Sequence, residues 1–189
     1  MIERPDRTEA AEYYFKYIDQ VGGGDIRDIL EAQLPQTLAL YDGISDGQSL
    51  SRYAPDKWTI RQAVSHVNDV ERLVVSRAFW FARGFDSELP SFDQHTAVAA
   101  AGADDRLWRT HVDEFRDVRA ATLSFFRHLP EEAWSRRGIA SGNPFSVRAL
   151  AYITAGHVMH HSAILRQQYL AGASMQGRPA ESEGTRARV

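Results

Sequence analysis

The chain contains no cysteine, which excludes disulfides, thiolate metal ligands and a cysteine nucleophile. Any thiol chemistry must therefore draw its sulfur from outside the protein. Lysine is nearly missing too: of 22 basic residues all but Lys16 and Lys57 are arginine, a bias of genome composition more than a binding surface. No run of like charges forms a basic patch, and a net charge of −3 with a pI near 6.2 gives no global attraction to nucleic acid. No stretch approaches about 18 uninterrupted apolar residues. The charged opening Met1-Ile-Glu-Arg-Pro-Asp-Arg7 lacks the apolar h-region of a signal peptide. The expectation is a soluble, cytoplasmic protein with neither a membrane nor a nucleic-acid partner.

What is present suits one domain: 43% of the 189 residues are hydrophobic, enough for a substantial core. Four long helical patterns emerge, with little strand signal. The first spans about Asp25 to Ile44, with Ile26, Leu30, Leu34, Leu38 and Tyr41 on one side. Gly22-Gly-Gly24 breaks the chain before it, and Pro35 should kink it. Glu9 to Val21 adds a short helix upstream. The second runs from Thr59 to Arg83, opening with the capping-box residues Thr59 and Gln62 and carrying Ala63, Val67, Val70 and Val74 on its apolar arc. The third, from Asp104 to His128, repeats Phe115, Val118, Thr122, Phe125 and Leu129 at steps of three and four before Pro130 stops it. The fourth starts after a plausible N-cap at Ser146 and runs to Leu170.

Gly84 to Gly102 reads as a long loop and Arg137 to Pro144 as an irregular connection. Residues 171–189 lose all periodicity and read as a disordered tail to a domain over 1–170. Four amphipathic helices on this scale predict an all-α four-helix bundle, an architecture whose facing helices build metal sites in the core.

The chemistry concentrates in histidine. His157 and His161, four apart on the fourth helix, diverge by only about 40° and can reach one ion. His66, bordering the apolar arc of the second helix, is a third candidate. Three imidazoles from two packed helices would leave the open coordination of a catalytic divalent metal; the alternative is a set of hydrogen-bonded core imidazoles. His160, at i+3, could replace His161, although the i, i+4 pair projects more nearly in register. His95, His111 and His128 have no paired spacing, and His111 near an apolar stripe suits a satisfied core imidazole. Asp69, three residues after His66, could orient a ligand or be an ordinary surface carboxylate. Arg77, eleven residues after His66, returns to within about 20° of the same helix face, where it could meet an anionic substrate or be solvated or salt-bridged. Trp58 should pack at the entrance to the second helix, away from any site.

The order Trp58-Thr-Ile-Arg-Gln-Ala-Val-Ser-His66-Val-Asn-Asp69-Val-Glu71, then Leu89-Pro-Ser-Phe-Asp93-Gln94, then Gly142-Asn-Pro-Phe-Ser-Val-Arg-Ala-Leu150 and finally His157-Val-Met-His-His161 resembles the DinB-like (YfiT-like) family of small bacterial proteins. The similarity covers about Arg4 to Leu170. It implies a four-helix bundle, often a homodimer, that holds a divalent metal (zinc, nickel or iron) on the residues matching His66, His157 and His161. Asp93 matches a family motif and would bend over the bundle mouth, unless it serves only its own backbone as an Asx turn. The family includes transferases and isomerases that use low-molecular-weight thiols, and metal-dependent hydrolases. The implied function is a metal-dependent, thiol-dependent S-transferase acting on a small electrophile. The alternatives are a metal-dependent hydrolase and a non-catalytic, stress-related metal- or ligand-binding dimer. Arg77 and Asp93 are the candidate substrate-binding residues, and metal binding should weaken below about pH 6, where free imidazoles take up protons.

Overall fold

The computed structural model describes residues 1–171. The expected disordered tail lies outside the described residues but for Ala171. A short helix α1 (Phe15–Ile18) is followed by α2 (Ile26–Asp42), α3 (Ile60–Ala82), α4 (Gln94–Ala100) and α5 (Trp108–Arg127). A two-stranded hairpin then joins β1 (Arg137–Ala140) to β2 (Asn143–Ser146), leading into α6 (Val147–Ile164) and a terminal π-helical stretch over Leu165–Leu170. The four long helices α2, α3, α5 and α6 form the bundle. α3 packs on α5 and α6, and α2 packs on the same pair, so α2 and α3 stand diagonally. Among the described residues no helix is long and apolar enough to cross a membrane.

Local chemistry explains the element boundaries. Thr59 Oγ1 accepts from the Gln62 amide while Gln62 Oε1 accepts from the Thr59 amide, completing the capping box of α3. Ser146 caps α6 by accepting from the Ala149 amide, and it donates to buried Glu9, which also binds Arg148. That knot ties the N-terminal segment to the start of α6. Further along, Gly156 lies against the backbone of Tyr17, where a Cβ would come within 2.1 Å of the Tyr17 carbonyl oxygen. Only glycine allows α1 to approach α6 this closely.

The structure departs from the sequence reading in several places. α2 continues through Pro35, and its buried stripe contains Gln33 and Thr37 while Leu34 and Leu38 are half-buried. α5 begins at Trp108, not Asp104: the carbonyls of Asp104 and Arg106 accept from the buried Arg61 guanidinium and are unavailable to a helix. Gly84 to Gly102 is not wholly loop, since it contains α4, with Asp93 as N-cap. Arg137 to Pro144 is a hairpin rather than an irregular connection. Its two-residue turn, Ser141-Gly142, has φ of 53° and 71°, the primed-turn geometry that matches strand twist. Leu89 pairs with the hairpin edge through Ile139 and Ser141, pinning the preceding loop there.

The bundle core is divided. One apolar cluster gathers Ile26, Leu30, Phe81, Phe126 and most of α6; another gathers Tyr41, Ile60, Val64, Phe115 and Val158. On each bundle helix a buried polar residue falls between the two: Gln33 on α2, Glu71 on α3, Arg119 on α5 and His157 on α6. Arg119 forks onto Glu71 with two bonds of 2.7 Å and donates to Gln33 Oε1 at 2.7 Å, and Gln33 donates to the Ala155 carbonyl at 2.9 Å. Removing one partner of such a pair strands a buried charge. Arg119→Ala should therefore lower unfolding free energy by about 3–5 kcal/mol in denaturant melts, while Arg119→Met combined with Glu71→Leu should recover most of the loss. A single variant as stable as the wild type would contradict this.

Candidate metal centre

The register set by this polar layer brings α3 and α6 together where their histidines meet. His66, His157 and His161 each offer a nitrogen, all within 4.8 Å of one another. Their ring centroids lie 5.0 Å (His66–His157), 5.1 Å (His66–His161) and 4.5 Å (His157–His161) apart. His160 stands outside this group, packed edge-on to Tyr17 and His161. His111 is buried with Nε2 bonded to the Ala103 carbonyl, and His128 bonds the Ser124 carbonyl, so both are structural.

Electrostatics favours neutral, ligand-ready imidazoles. Burial, reinforced by His95, lowers the pKa of His66 to about 4. Burial, with His66 and His160 nearby, lowers His161 to about 3, and burial with its two partners holds His157 well below 6.5. His66 Nδ1 is buried with no hydrogen-bond partner, an open lone pair or orphan donor that a buried group rarely tolerates. An all-nitrogen donor set of this kind suits zinc, nickel or iron(II). The residues present therefore fit a divalent ion.

Aromatic rings wall the triad. Tyr17 packs edge-on to His157 at 5.3 Å, and Trp58 lies 4.9 Å from His66 and 5.7 Å from His95. Trp58 thus belongs to the site's wall, contrary to its expected position away from any site: it precedes the Thr59 cap of α3, and its indole packs against His66 and lines a cavity that reaches His161. Two cavities flank the histidines. A cleft of about 350 Å³ is lined by His66 and His157 together with Tyr14, Tyr17, Arg77 and Phe92. A second cavity of about 260 Å³ reaches His161 from the other side, past Trp58, Tyr53 and Tyr169. His95 borders both.

The remaining candidates divide. Arg77 is buried and lines the cleft. Asp93 stands at the cleft rim, exposed, with its carboxylate accepting from the Thr96 amide at 2.7 Å as the N-cap of α4. Asp69 is not part of the cleft lining; it lies 3.5 Å from Arg72, three residues on along α3, and burial raises its pKa. Sequence reasoning did not pick out Tyr14, Tyr17 or Ser141 as cleft residues. The only signal was the aromatic density of Tyr13-Tyr14-Phe15-Lys16-Tyr17 ahead of the bundle.

Similar proteins agree with this architecture. YfiT from Bacillus subtilis, described as a probable metal-dependent hydrolase with an unusual four-helix bundle topology, superposes with a TM-score of 0.64 at 15% identity, covering 92% of this chain and 93% of its own. The mycothiol-dependent maleylpyruvate isomerase superposes with a TM-score of 0.63 at 11% identity, covering 77% of this chain and 61% of its own, and a histidine-to-alanine variant of it gives 0.64. At these identities the likeness is one of fold. No curated protein matches the chain. The sequence profile of the DinB superfamily matches residues 29–165, so this chain belongs to the DinB superfamily.

Proposed function

We propose that the protein is a metal-dependent enzyme that joins a low-molecular-weight thiol, through its sulfur, to a small electrophile. The S–H bond is broken with loss of the proton, a new C–S bond forms, and the electrophile's displaced electron pair goes to its leaving group or takes up a proton. The observation that carries this reading is the convergence of three imidazoles, His66 and His157 buried and His161 half-buried, at a point that two cavities reach. Two reactants need two approaches, and a chain without cysteine must import its thiol. A divalent ion held by His66, His157 and His161 would lower the pKa of a thiol that meets it, supplying the thiolate that a free thiol with pKa about 8.5 lacks at neutral pH. Trp58 and Tyr17 keep water from the histidine faces they cover, and the capping box at Thr59 fixes the helix that carries His66. Metal and thiol use among fold relatives, in the probable hydrolase and the mycothiol-dependent isomerase, supports the same reading. The homodimer and the cytoplasmic location belong to this proposal as well.

The hydrolase reading is weaker on one point. A metal hydrolase gains from a carboxylate base beside the ion, and the acid lining the cleft, Asp93, is occupied with its helix cap.

The purified protein should take up about one divalent ion per chain by metal analysis, and His66→Ala, His157→Ala or His161→Ala should each weaken uptake roughly a hundredfold or more. Uptake lost in His160→Ala but kept in His161→Ala would reverse the ligand assignment. The pH dependence follows from burial. Folded imidazoles stay neutral to about pH 4 at His66, so metal binding should hold to about pH 5, below the threshold near 6 expected of free imidazoles. In the unfolded chain the same groups protonate near 6.5, so between about 6.5 and 4 the unfolded state binds more protons and stability falls with pH. Thermal melts of the metal-free protein should lose stability through that window, and His161→Asn should flatten the loss; parallel curves would count against buried neutral imidazoles. Finally, thioether formation from a small thiol and a model electrophile should require metal and collapse in His66→Ala. Ester or amide hydrolysis with the same dependence, and no thiol consumption, would transfer the assignment to the hydrolase.

A further inference from the structure

Among the described residues three arginines are almost fully buried, and two of them have carboxylates. Arg119 forks onto Glu71, and Arg61 meets Asp46 at 2.8 Å. Arg77 is different. Only 5% exposed, it has no carboxylate within ion-pair distance among the described residues. Its Nη2 donates to two neutral acceptors, the Pro90 carbonyl at 2.8 Å and Ser141 Oγ at 2.9 Å, and its Nε has no acceptor at all. A buried charge without a counter-ion is costly, and this one lines the cleft that reaches His66 and His157.

The surroundings hold it in place for a ligand. Ser141 takes the φ of 53° that its place in the hairpin turn requires, and its hydroxyl accepts from the guanidinium. Burial disfavours the charge on Arg77, and the neighbouring Tyr14 phenol opposes that effect. The cleft walls beyond are apolar and aromatic, with Val74, Ile153, Tyr17 and Phe92. We propose that Arg77 is the anion receptor of this cleft and that its ligand is a small organic carboxylate with an apolar or aromatic body. The carboxylate sits on Nη1 of Arg77, the guanidinium nitrogen that Pro90 and Ser141 leave free, and the far end points toward the imidazole triad.

The length of the ligand follows from the helix. Eleven residues separate His66 from Arg77, about 16 Å along the axis; both side chains lean toward the helix N-terminus and the longer arginine reaches further, which leaves on the order of 10 Å between its head and the histidines. An acetate-sized anion cannot touch both ends. A body of several carbon atoms can. That the far end is the reacting end rests on the metal-dependent reading above; recognition of the carboxylate does not.

The test uses metal-free protein, so that the probe cannot coordinate an ion. Calorimetric titration with 3-phenylpropionate and with its neutral amide, 3-phenylpropionamide, should show the carboxylate binding about tenfold or more tightly. Arg77→Gln should erase that ratio. Arg77→Lys, which keeps charge but loses the planar fork, should reduce it without erasing it, and this variant carries the test if Arg77→Gln fails to melt cooperatively. His161→Ala, at a residue outside the lining of this cleft, should keep the full ratio even though it weakens metal uptake, so a failed metal site and a failed anion receptor give different results. Equal binding of the two probes by the wild type, binding of neither at millimolar concentration, or an unchanged ratio in Arg77→Gln would overturn the proposal.

Discussion

The bidentate pair between Arg119 and Glu71, extended through Gln33 to the Ala155 carbonyl, is the interaction on which the rest of the arrangement depends. It touches all four bundle helices in one plane. A buried ion pair is weak as a source of stability compared with apolar packing of the same volume, but it is sharply selective about geometry, because a shifted helix leaves a charge without its partner. Glu71 lies five residues after His66 on α3, and Ala155 two residues before His157 on α6. A slip of either helix along the other would break the polar layer and separate the imidazoles together. The geometry of the imidazole triad and the bundle register are thus one constraint, read at two heights.

From that constraint follows a division of labour around the cleft. The imidazoles are desolvated enough to remain neutral, which suits them to bind a cation and unsuits them to attract an anion. In the arrangement proposed above, attraction of an anion falls to Arg77, at the other end of the same helix face. The hairpin and the loop pinned to it by Leu89 close the cleft at that end, supplying Ser141 and the Pro90 carbonyl. The N-terminal segment closes it from the side, tethered by Glu9 to Ser146 and Arg148 and admitted against α6 by Gly156. None of these walls is a bundle helix. In this superfamily member the bundle supplies the polar groups and one apolar wall of the cleft, and the connections close it.

That division also explains what was legible in the sequence. The bundle helices and the three converging histidines rest on local periodicity: a 3.6-residue repeat and an i, i+4 pair are visible without knowing what packs where. The Thr59–Gln62 capping box and the Ser146 cap are equally local. What was missed depends on distant partners. Arg61 shortens α5 by binding carbonyls more than 40 residues away in sequence. Gln33 displaces Leu34 from the buried stripe because Arg119 and Ala155 need it. The hairpin was hidden because Gly138 and Pro144 look like strand breakers, yet Gly138 is required beneath the Phe81 ring, where a Cβ would come within 2.1 Å of ring atoms. Trp58 and Tyr17 became part of the site only through tertiary packing.

The central claim is that His66, His157 and His161 together hold one divalent ion. Anomalous diffraction from crystals of the zinc- or nickel-loaded protein, collected at the absorption edge of the metal, tests it most directly. The account predicts one strong peak per chain, within bonding distance of one nitrogen from each of the three imidazoles, on the side facing the cleft. Absence of a peak between α3 and α6, or a peak held by His160 or His95 in place of one of the three, would contradict it.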